Sequence, residues 1–315
     1  MNTLGIDIGA TRIKMAVVSK DRIVESASVF LGPDDHSEDG MIGLLHKKIA
    51  KLNSRYRIGS VGIGVAGVID MHTGLIRQSP NFPTWQDFAL GQRLTEATGL
   101  PVAMDNDANM VAIGEYEFGA GKGARNMALL TLGSGVGGGL ILDGRLFHGN
   151  TGMAGEIGHI TVEPEGFACN CGNNGCLEQY ASAKGLRNKV RRDIFFGAET
   201  GLALKDPKLP ERLYKMAKNG DKKALGYFQE FGYYLAIAIG GMLNLLNIKL
   251  IVFSGGVAGS MDIWKAVLMQ ELRRRTFTAI LKDVRIEQGT LGDMAGAIGA
   301  AILGSHSGKN IGPPE

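Results

Sequence analysis

The sequence predicts an α/β fold with two related lobes. Three observations lead to this prediction: apolar strand-like runs alternate with segments of helical periodicity, glycine turns follow several of these runs, and one strand–turn–strand pattern occurs twice. The chain has 315 residues, of which 44% are hydrophobic and 21% charged, so it is long enough for two domains of about 150 residues each.

The first lobe is predicted from the N-terminal part of the chain. Strand-like runs at 4–9, 13–18 and 23–29 come first. They are followed by a helix over 40–54, a buried strand over 60–66 that ends at Gly67, and a second helix over 87–98. A short strand over 102–105 and a third helix over 107–118 come next. Residues 119–123 are Gly-Ala-Gly-Lys-Gly and break this pattern. We therefore predict a small α/β lobe over 1–118 plus about 290–315.

The second, larger lobe is predicted over 119–289, and its start repeats the plan of the first. Strands at 128–132, 138–142 and 146–147 follow the first set by about 124 positions, which indicates an internal duplication of architecture. The remaining predicted elements are helices at 181–193, 210–219, 221–246 and 261–276 and strands at 250–254 and 284–286. A last helix of small residues, 293–303, is expected to pack back across both lobes.

Composition excludes several classes of protein. The net charge is only +3, and the dense basic cluster Arg273-Arg274-Arg275 is typical of a solvated helix end, so no nucleic-acid partner is expected. A signal peptide begins with a basic region followed by an apolar run, and the N-terminal residues do not show this pattern. The longest apolar stretch, 233–246, is shorter than the roughly 20 residues of a membrane span. We expect a cytoplasmic protein without membrane contact.

All three cysteines lie within eight residues, as Cys169, Cys171 and Cys176, with His159 ten residues before the first. The spacing C-x-C-x4-C with a nearby histidine is typical of a closed Cys3His zinc site. The alternative is a tight disulfide with one spare thiol, which the odd cysteine count and the expected cytosolic setting disfavour. The sequence therefore predicts structural Zn²⁺.

Three glycine turns follow strands, at 9–11, 133–137 and 255–257. Glycine lets backbone N–H groups converge on a phosphate, although one such turn by itself is more often a tight hairpin. Thr11, Thr131 and Ser134 add hydroxyl donors, and Arg12 and Lys14 add positive charge. The P-loop pattern and a convincing G-x-G-x-x-G are both absent from the sequence. The three turns together indicate a nucleotide site of another kind.

Asp107 stands where a predicted strand enters a helix. One interpretation is a helix N-cap. The other is a general base, because a carboxylate with a pKa of about 3.9 is ionised at pH 7 and accepts a proton from a substrate hydroxyl. Phosphoryl transfer has a loose transition state, so a weak base that orients the hydroxyl is sufficient.

Motifs along nearly the whole chain resemble those of the ROK family of sugar kinases, most closely its bacterial glucokinase branch. They occur in family order. The segments are Asp7-Ile8-Gly9-Ala10-Thr11, residues 62–70 and 80–85, Asn106-Asp107-Ala108-Asn109, residues 132–139, Gly155-Glu156-Ile157-Gly158-His159, the cysteine segment with Glu178, and Ser254-Gly255-Gly256-Val257.

The resemblance implies an actin-like ATPase (ribonuclease H-like) fold, in which sugar and ATP with Mg²⁺ meet in an interlobe cleft. It implies ATP-dependent phosphorylation of a hexose at the 6-hydroxyl, with glucose expected, and a homodimer. Asp107 is then the base. The implied sugar ligands are Gly67, Asn81, Asn106, Asp107, Glu156, His159 and Glu178. The implied nucleotide residues are Asp7, Gly9, Ala10, Thr11, Arg12, Lys14, Thr131, Gly133, Ser134, Gly135, Gly137, Gly255, Gly256 and Val257.

The chemistry of these residues suits a sugar. Acids and amides pair with hydroxyls that both donate and accept, and a zinc-bound histidine keeps its second ring nitrogen available for one such contact. His159 by itself would be expected to be a core histidine, but the cysteines and Glu156 favour the ligand role. The sequence departs from the family pattern at Ala10, where a second glycine is common, and at Arg12, where lysine is frequent. An alanine fits that turn if its φ is negative.

Alternative functions are a kinase for another hexose or N-acetylhexosamine (mannose, allose, fructose or N-acetylmannosamine) and a non-catalytic sugar-sensing regulator. Family regulators carry a helix-turn-helix ahead of the sugar domain, whereas here the first phosphate strand begins at residue 4 and Asp107 is present. A chaperone or cytoskeletal ATPase of the same fold class is disfavoured by the sugar-type residues and the cysteines.

Overall fold

The structure, a computed structural model, describes residues 1–20 and 22–306 and confirms the α/β prediction. The end of the predicted small lobe, residues 307–315, lies outside the described residues. The strands are β1 (Asn2–Ile8), β2 (Arg12–Ser19), β3 (Arg22–Phe30), β4 (Ile58–Val65), β5 (Val68–Ile69), β6 (Ile76–Gln78), β7 (Gln86–Phe88), β8 (Val102–Asn106), β9 (Met127–Leu132), β10 (Val136–Leu142), β11 (Arg145–Leu146), β12 (Leu250–Ser254) and β13 (Arg285–Gln288).

The described residues also form α-helices and short 3-10 turns. The helices are α1 (Glu38–Tyr56), α2 (Leu90–Thr98), α3 (Asp107–Phe118), α4 (Ala183–Phe195), α5 (Leu209–Lys218), α6 (Lys222–Leu246), α7 (Met261–Arg275), α8 (Thr278–Leu281) and α9 (Ala295–His306). The 3-10 turns are Asp34–His36, Ile157–His159, Leu177–Gln179, Gly256–Ser260 and Gly292–Met294. None of the helices in 1–20 and 22–306 is long and apolar enough to cross a membrane.

Two five-stranded sheets share one strand order. The first is β3-β2-β1-β4-β8, and the second is β11-β10-β9-β12-β13. In the first sheet β1 lies beside β2, and β4 is parallel to both β1 and β8. In the second sheet β9 lies beside β10, and β12 is parallel to both β9 and β13. The internal duplication predicted from the repeated hairpin is therefore visible in the topology. β5, β6 and β7 form a small third sheet that the sequence analysis missed.

The chain divides into two compact units. Of the described residues, the first contains 1–20, 22–125, 139–155 and 290–306, and the second contains 126–138 and 156–289. This division differs from the predicted lobes at 119–125 and 139–155, which the sequence analysis placed in the second lobe. These residues belong to the first unit because β11 packs on α3 and the Gly144 amide donates to the Arg125 carbonyl over 2.8 Å.

The core of the first unit is the sheet packed on α9 and α1. α9 contacts α3, β1, β4, β2 and β8, which are all elements of this unit. The expectation that the last helix also packs across to the other lobe stays a prediction. α9 lies close to the sheet because glycines face the helix. A Cβ built on Gly62 of β4 would lie 1.7 Å from the carbonyl oxygen of Ala300.

The predicted helix over 87–98 begins later than expected. Residues 86–88 form β7, where Phe88 is opposite Ile76 and Gln86 is opposite Gln78. Asp87 has φ of 52°, which a helix cannot accommodate, so α2 starts at Leu90. The cross-strand pairing, which cannot be read from helical periodicity, determines this boundary.

Candidate active site

In the first unit, the carboxyl ends of three parallel strands lie at one edge of the sheet. Ile8 at the end of β1 is opposite Val65 of β4, and Val65 is opposite Asn106 of β8. The first glycine turn follows β1, Gly67 follows β4, and Asp107 begins α3 directly after β8. The carboxyl edge of a parallel sheet is where α/β proteins usually bind ligands.

Gly67 requires the conformation that only glycine adopts easily. Its φ is 145°, and a Cβ at this position would lie 2.3 Å from the carbonyl oxygen of Gln78. The neighbouring Ser79 hydroxyl donates to the Ala66 carbonyl over 2.7 Å. The Asn106 amide donates to the Gly67 carbonyl over 3.4 Å, so two of the predicted sugar residues are in contact.

Asp107 is the first residue of α3, and Asn106 is the N-cap. The side-chain oxygen of Asn106 accepts from the Ala108 amide over 2.9 Å. The interpretation of Asp107 as the cap itself is therefore wrong, although its own Oδ1 also lies 2.9 Å from that amide. At the first position of a helix, the amide dipoles stabilise a negative carboxylate. The cap role is filled by the neighbouring residue.

A buried acid supports the start of α3. Asp105 is only 2% exposed, and its Oδ1 accepts from the Asn106 amide over 2.6 Å and from Asn109 Nδ2 over 2.9 Å. Its Oδ2 lies 2.6 Å from Nε2 of His148, and this hydrogen bond raises the pKa of His148. The sequence analysis assigned no role to either residue, because 43 positions separate them and no local pattern links them.

The first glycine turn, 9–11, joins β1 to β2. Ala10 is not among the described non-glycine residues with positive φ, so the alanine causes no backbone strain. The two expected cations have acidic partners: Arg12 contacts Asp293 at 2.8 Å, and Lys14 lies 3.7 Å from Asp7. Burial raises the pKa of Asp7, and Lys14 opposes that rise. The positive charge predicted for this turn is thus partly neutralised by carboxylates in the same unit.

In the second unit, the other two glycine turns lie at the corresponding edge. Ser254 at the end of β12 is opposite Thr131 of β9, so the turns 133–137 and 255–257 leave neighbouring strands. The Thr131 hydroxyl accepts from the Gly137 amide over 3.1 Å. Gly255 has φ of 89°, and a Cβ there would lie 2.6 Å from the Leu132 carbonyl oxygen.

The turn 133–137 lies against Glu178 and the start of α4. A Cβ on Gly135 would be 2.5 Å from Glu178 Oε2. The Ala183 amide donates to the Gly133 carbonyl over 2.9 Å, and Lys184 Nζ lies 3.8 Å from Glu178 Oε1. The structure therefore brings one predicted nucleotide turn next to one predicted sugar residue within this unit.

The four predicted zinc ligands form one cluster. The ligand atoms of His159, Cys169, Cys171 and Cys176 all lie within 4.8 Å of one another. The sulfur atoms of Cys171 and Cys176 are 3.6 Å apart, and Cys169 Sγ lies 3.7 Å from His159 Nδ1. A tetrahedral zinc ion has S–S edges of about 3.8 Å and S–N edges of about 3.6 Å, whereas a disulfide needs an S–S distance of about 2.05 Å. The donor set fits a zinc ion and not a disulfide.

Local bonds hold this cluster in shape and connect it to the acids. The Asn173 amide lowers the pKa of Cys171 to about 7, and burial raises that of Cys176. Glu178 Oε1 lies 3.4 Å from Cys169 Sγ, and His159 Nε2 lies 3.8 Å from Glu156 Oε2. The imidazole therefore directs Nδ1 at the cysteines and Nε2 at a predicted sugar ligand, as expected for a residue with both roles.

The fold and this set of residues define the class of protein. Residues 3–306 match the model of the ROK family, so the chain belongs to the ROK family. The resemblance found in the sequence and the expected actin-like ATPase fold are confirmed.

Individual relatives agree with this assignment. The chain is 38% identical over 313 residues to a glucokinase of Halalkalibacterium halodurans, which covers 95% of this chain and 94% of that protein. It is 30% identical to a ROK family glucokinase from Streptomyces griseus, solved in complex with glucose and AMPPNP, with a TM-score of 0.80 over 97% of this chain and 100% of that one. A xylose repressor of Caldicellulosiruptor bescii is 29% identical over 95% of this chain and 77% of the repressor.

Proposed function

We propose that this protein is an ATP-dependent glucokinase that transfers the terminal phosphoryl group of ATP to the 6-hydroxyl of glucose. The observation that carries the proposal is the Asn106-Asp107 pair at the edge of the first sheet, in a ROK family chain that is 38% identical to a glucokinase. The presence of this carboxylate at the start of α3 supports a kinase over a sugar-binding regulator, because a regulator needs no base.

In this proposal the oxygen of the sugar 6-hydroxyl bonds to the terminal phosphorus of ATP, and the bond from that phosphorus to the leaving ADP breaks. Asp107 accepts the proton of the hydroxyl. Gly67, Asn81 and Asn106 in the first unit and Glu156, His159 and Glu178 in the second hydrogen-bond the other hydroxyls. Such a set of polar groups discriminates strongly among epimers, since a mismatched sugar leaves buried donors or acceptors unpaired.

The nucleotide residues complete the assignment. The phosphates lie against 9–11 and 133–137, with Thr131 and Asp7 nearby, and the adenosine lies near 255–257. ATP is used as its Mg²⁺ complex, since the cation neutralises charge on the phosphates. His159, Cys169, Cys171 and Cys176 hold a structural Zn²⁺, which fixes the loop that carries Glu156 and Glu178. We further propose a cytoplasmic homodimer.

A coupled ADP-release assay over a panel of hexoses and N-acetylhexosamines tests the proposal. Glucose should give the highest kcat/KM, and a higher value for mannose, allose, fructose or N-acetylmannosamine would reassign the substrate. Asp107→Asn should lower kcat by about 10²-fold or more while glucose still binds in calorimetry. Asp39→Asn, at an exposed carboxylate of α1, is the matched control and should behave as wild type. Sugar binding without turnover in the wild type would indicate a regulator instead.

A further inference from the structure

The segment 31–37 lies directly on the first glycine turn. The Leu31 amide donates to the Thr11 carbonyl over 3.0 Å, and Nε2 of His36 lies 3.2 Å from the Ala10 carbonyl oxygen. Two successive carbonyls of the turn are therefore held by one neighbouring segment. Sequence analysis gave no role to His36, which is 26 positions from Ala10.

The same segment is attached to the aromatic residues that follow Asn81. The carbonyl of His36 accepts from the indole N–H of Trp85 over 3.0 Å. The imidazole lies 5.6 Å from the Phe82 ring, which stacks on Trp85 at 4.0 Å. Phe82 is 1% exposed and Trp85 is fully buried, so the two rings are packed inside this unit. His36 thus contacts the residue next to Asn81 on one side and the turn 9–11 on the other.

Both ring nitrogens of His36 face backbone carbonyl oxygens. Nδ1 lies 3.0 Å from the Gly32 carbonyl oxygen, while Nε2 faces the Ala10 carbonyl. The Gly32 amide is held in turn by the Asp35 carboxylate over 2.7 Å. A carbonyl oxygen only accepts and a neutral imidazole carries a single N–H, so the ring donates at one of these two contacts, and the tautomer with its hydrogen on Nε2 donates to the Ala10 carbonyl. Rotation of the ring would break that hydrogen bond.

Holding the Ala10 carbonyl also orients an amide of the turn. The described peptide bonds include no cis bond, and in a trans peptide the carbonyl of one residue and the N–H of the next point in opposite directions. The bond from His36 to the Ala10 oxygen therefore directs the Thr11 N–H away from the segment 31–37. That N–H is one of the donors assigned to phosphate in the proposed function.

We propose that His36 is a positioning residue that couples sugar binding to nucleotide binding. This inference rests on the proposed function. A sugar held by Asn81 fixes Phe82 and Trp85, these fix the backbone and ring of His36, and the ring fixes the phosphate-binding turn. The nucleotide then loses less conformational freedom when it binds second, which is positive coupling.

Calorimetry with glucose and AMPPNP tests the coupling. We expect wild type to bind AMPPNP about five-fold or more tightly when glucose is saturating. His36→Ala should reduce this ratio to near one, while the affinity for glucose alone changes less than about two-fold. In kinetics the KM for ATP at saturating glucose should rise more than kcat falls. His36→Gln keeps an amide donor within reach of the Ala10 carbonyl and should restore part of the coupling.

Two further variants control for a structural effect. His46→Ala, at an exposed histidine of α1, should keep the wild-type ratio. Trp85→Phe removes the indole N–H that donates to the His36 carbonyl, and it should also reduce the ratio of AMPPNP affinities with and without glucose. This variant keeps the test valid if His36→Ala does not fold. The inference would be overturned if glucose did not change the AMPPNP affinity of the wild type, or if His36→Ala or Trp85→Phe kept the wild-type ratio. Turnover would persist in either case. Absence of turnover with every hexose would instead overturn the proposed kinase.

Discussion

Glu115 is a fully buried carboxylate whose partners are backbone amides. Its Oε2 accepts from Ala120 over 2.9 Å and from Thr290 over 3.0 Å, and its Oε1 accepts from Leu291 over 2.9 Å. The residue therefore ties the end of α3 to the loop before α9. Both carboxylate oxygens of Glu115 accept hydrogen bonds. If glutamine replaced Glu115, its NH₂ group would face a backbone N–H donor in either orientation of the side-chain amide.

Glu115→Gln is accordingly expected to lower the free energy of unfolding by about 1–3 kcal/mol, the cost of leaving a buried donor unsatisfied. Urea denaturation followed by circular dichroism measures the change. Glu117→Gln, at an exposed position of the same helix, is the control and should shift stability by less than about 0.5 kcal/mol. Equal stability of the two variants would show that the carboxylate contributes nothing specific.

The Asp105–His148 pair predicts a pH-dependent contribution to stability. The pKa of His148 is raised above its ordinary value of about 6.5 by its bond to Asp105. The charged pair therefore contributes fully below about pH 6.5, and the contribution is lost as pH rises through the raised pKa. The stability difference between wild type and His148→Gln should be larger at pH 6 than at pH 9, measured by urea unfolding. His72→Gln, at an exposed turn, should show no such dependence.

At the scale of elements, α9 packs on the first sheet through positions without side chains. Cβ atoms on Gly5 and Gly62 would lie 1.8 Å and 1.7 Å from carbonyl oxygens of α9, and a Cβ on Gly299 of α9 would lie 1.8 Å from the Met110 carbonyl of α3. Backbone atoms cannot rotate away as a flexible side chain can. The small residues of the last helix are thus required by backbone-to-backbone contact.

Gly62→Ala should destabilise the protein by about 3 kcal/mol or more, because the methyl forces α9 away from β4. Thermal and urea unfolding measure this loss. Gly43→Ala on the exposed face of α1, where a Cβ meets nothing within 4 Å, should instead raise stability by about 0.5–1 kcal/mol. A neutral Gly62→Ala variant would show that α9 does not pack this closely.

At the scale of the whole molecule, the ROK family match extends over both compact units, and each unit contributes candidate residues at the edge of its own sheet. The cluster of His159, Cys169, Cys171 and Cys176 belongs to the second unit, whereas Asp107 belongs to the first. Loss of the proposed metal should therefore affect sugar affinity through the proposed ligands Glu156, His159 and Glu178 without removing the proposed base.

Elemental analysis of the purified protein should find about one zinc per chain. Chelation should lower the melting temperature, expose three thiols to a thiol reagent and raise the KM for glucose more than that for ATP. Cys171→Ser should reproduce these effects, and Asn170→Ser, an exposed neighbour in the same loop, should not. A metal-free protein with full activity and an unchanged melting temperature would contradict a structural zinc.

The sequence by itself determined the features that local pattern encodes. These are the strands of the two five-stranded sheets, most helix boundaries, the glycine turns after strands, the compact cysteine cluster and the Asn106-Asp107 step from strand to helix. Each of these features is set by residues only a few positions apart, through hydrophobic periodicity, the residues that favour turns, or the spacing of metal ligands. Only the tertiary structure decided which distant residues support them. His148 contacts Asp105 across 43 positions, His36 contacts Trp85 across 49, and Glu115 contacts Leu291 across 176. No local period carries such pairings, because the folding of the sheet and α9 creates them.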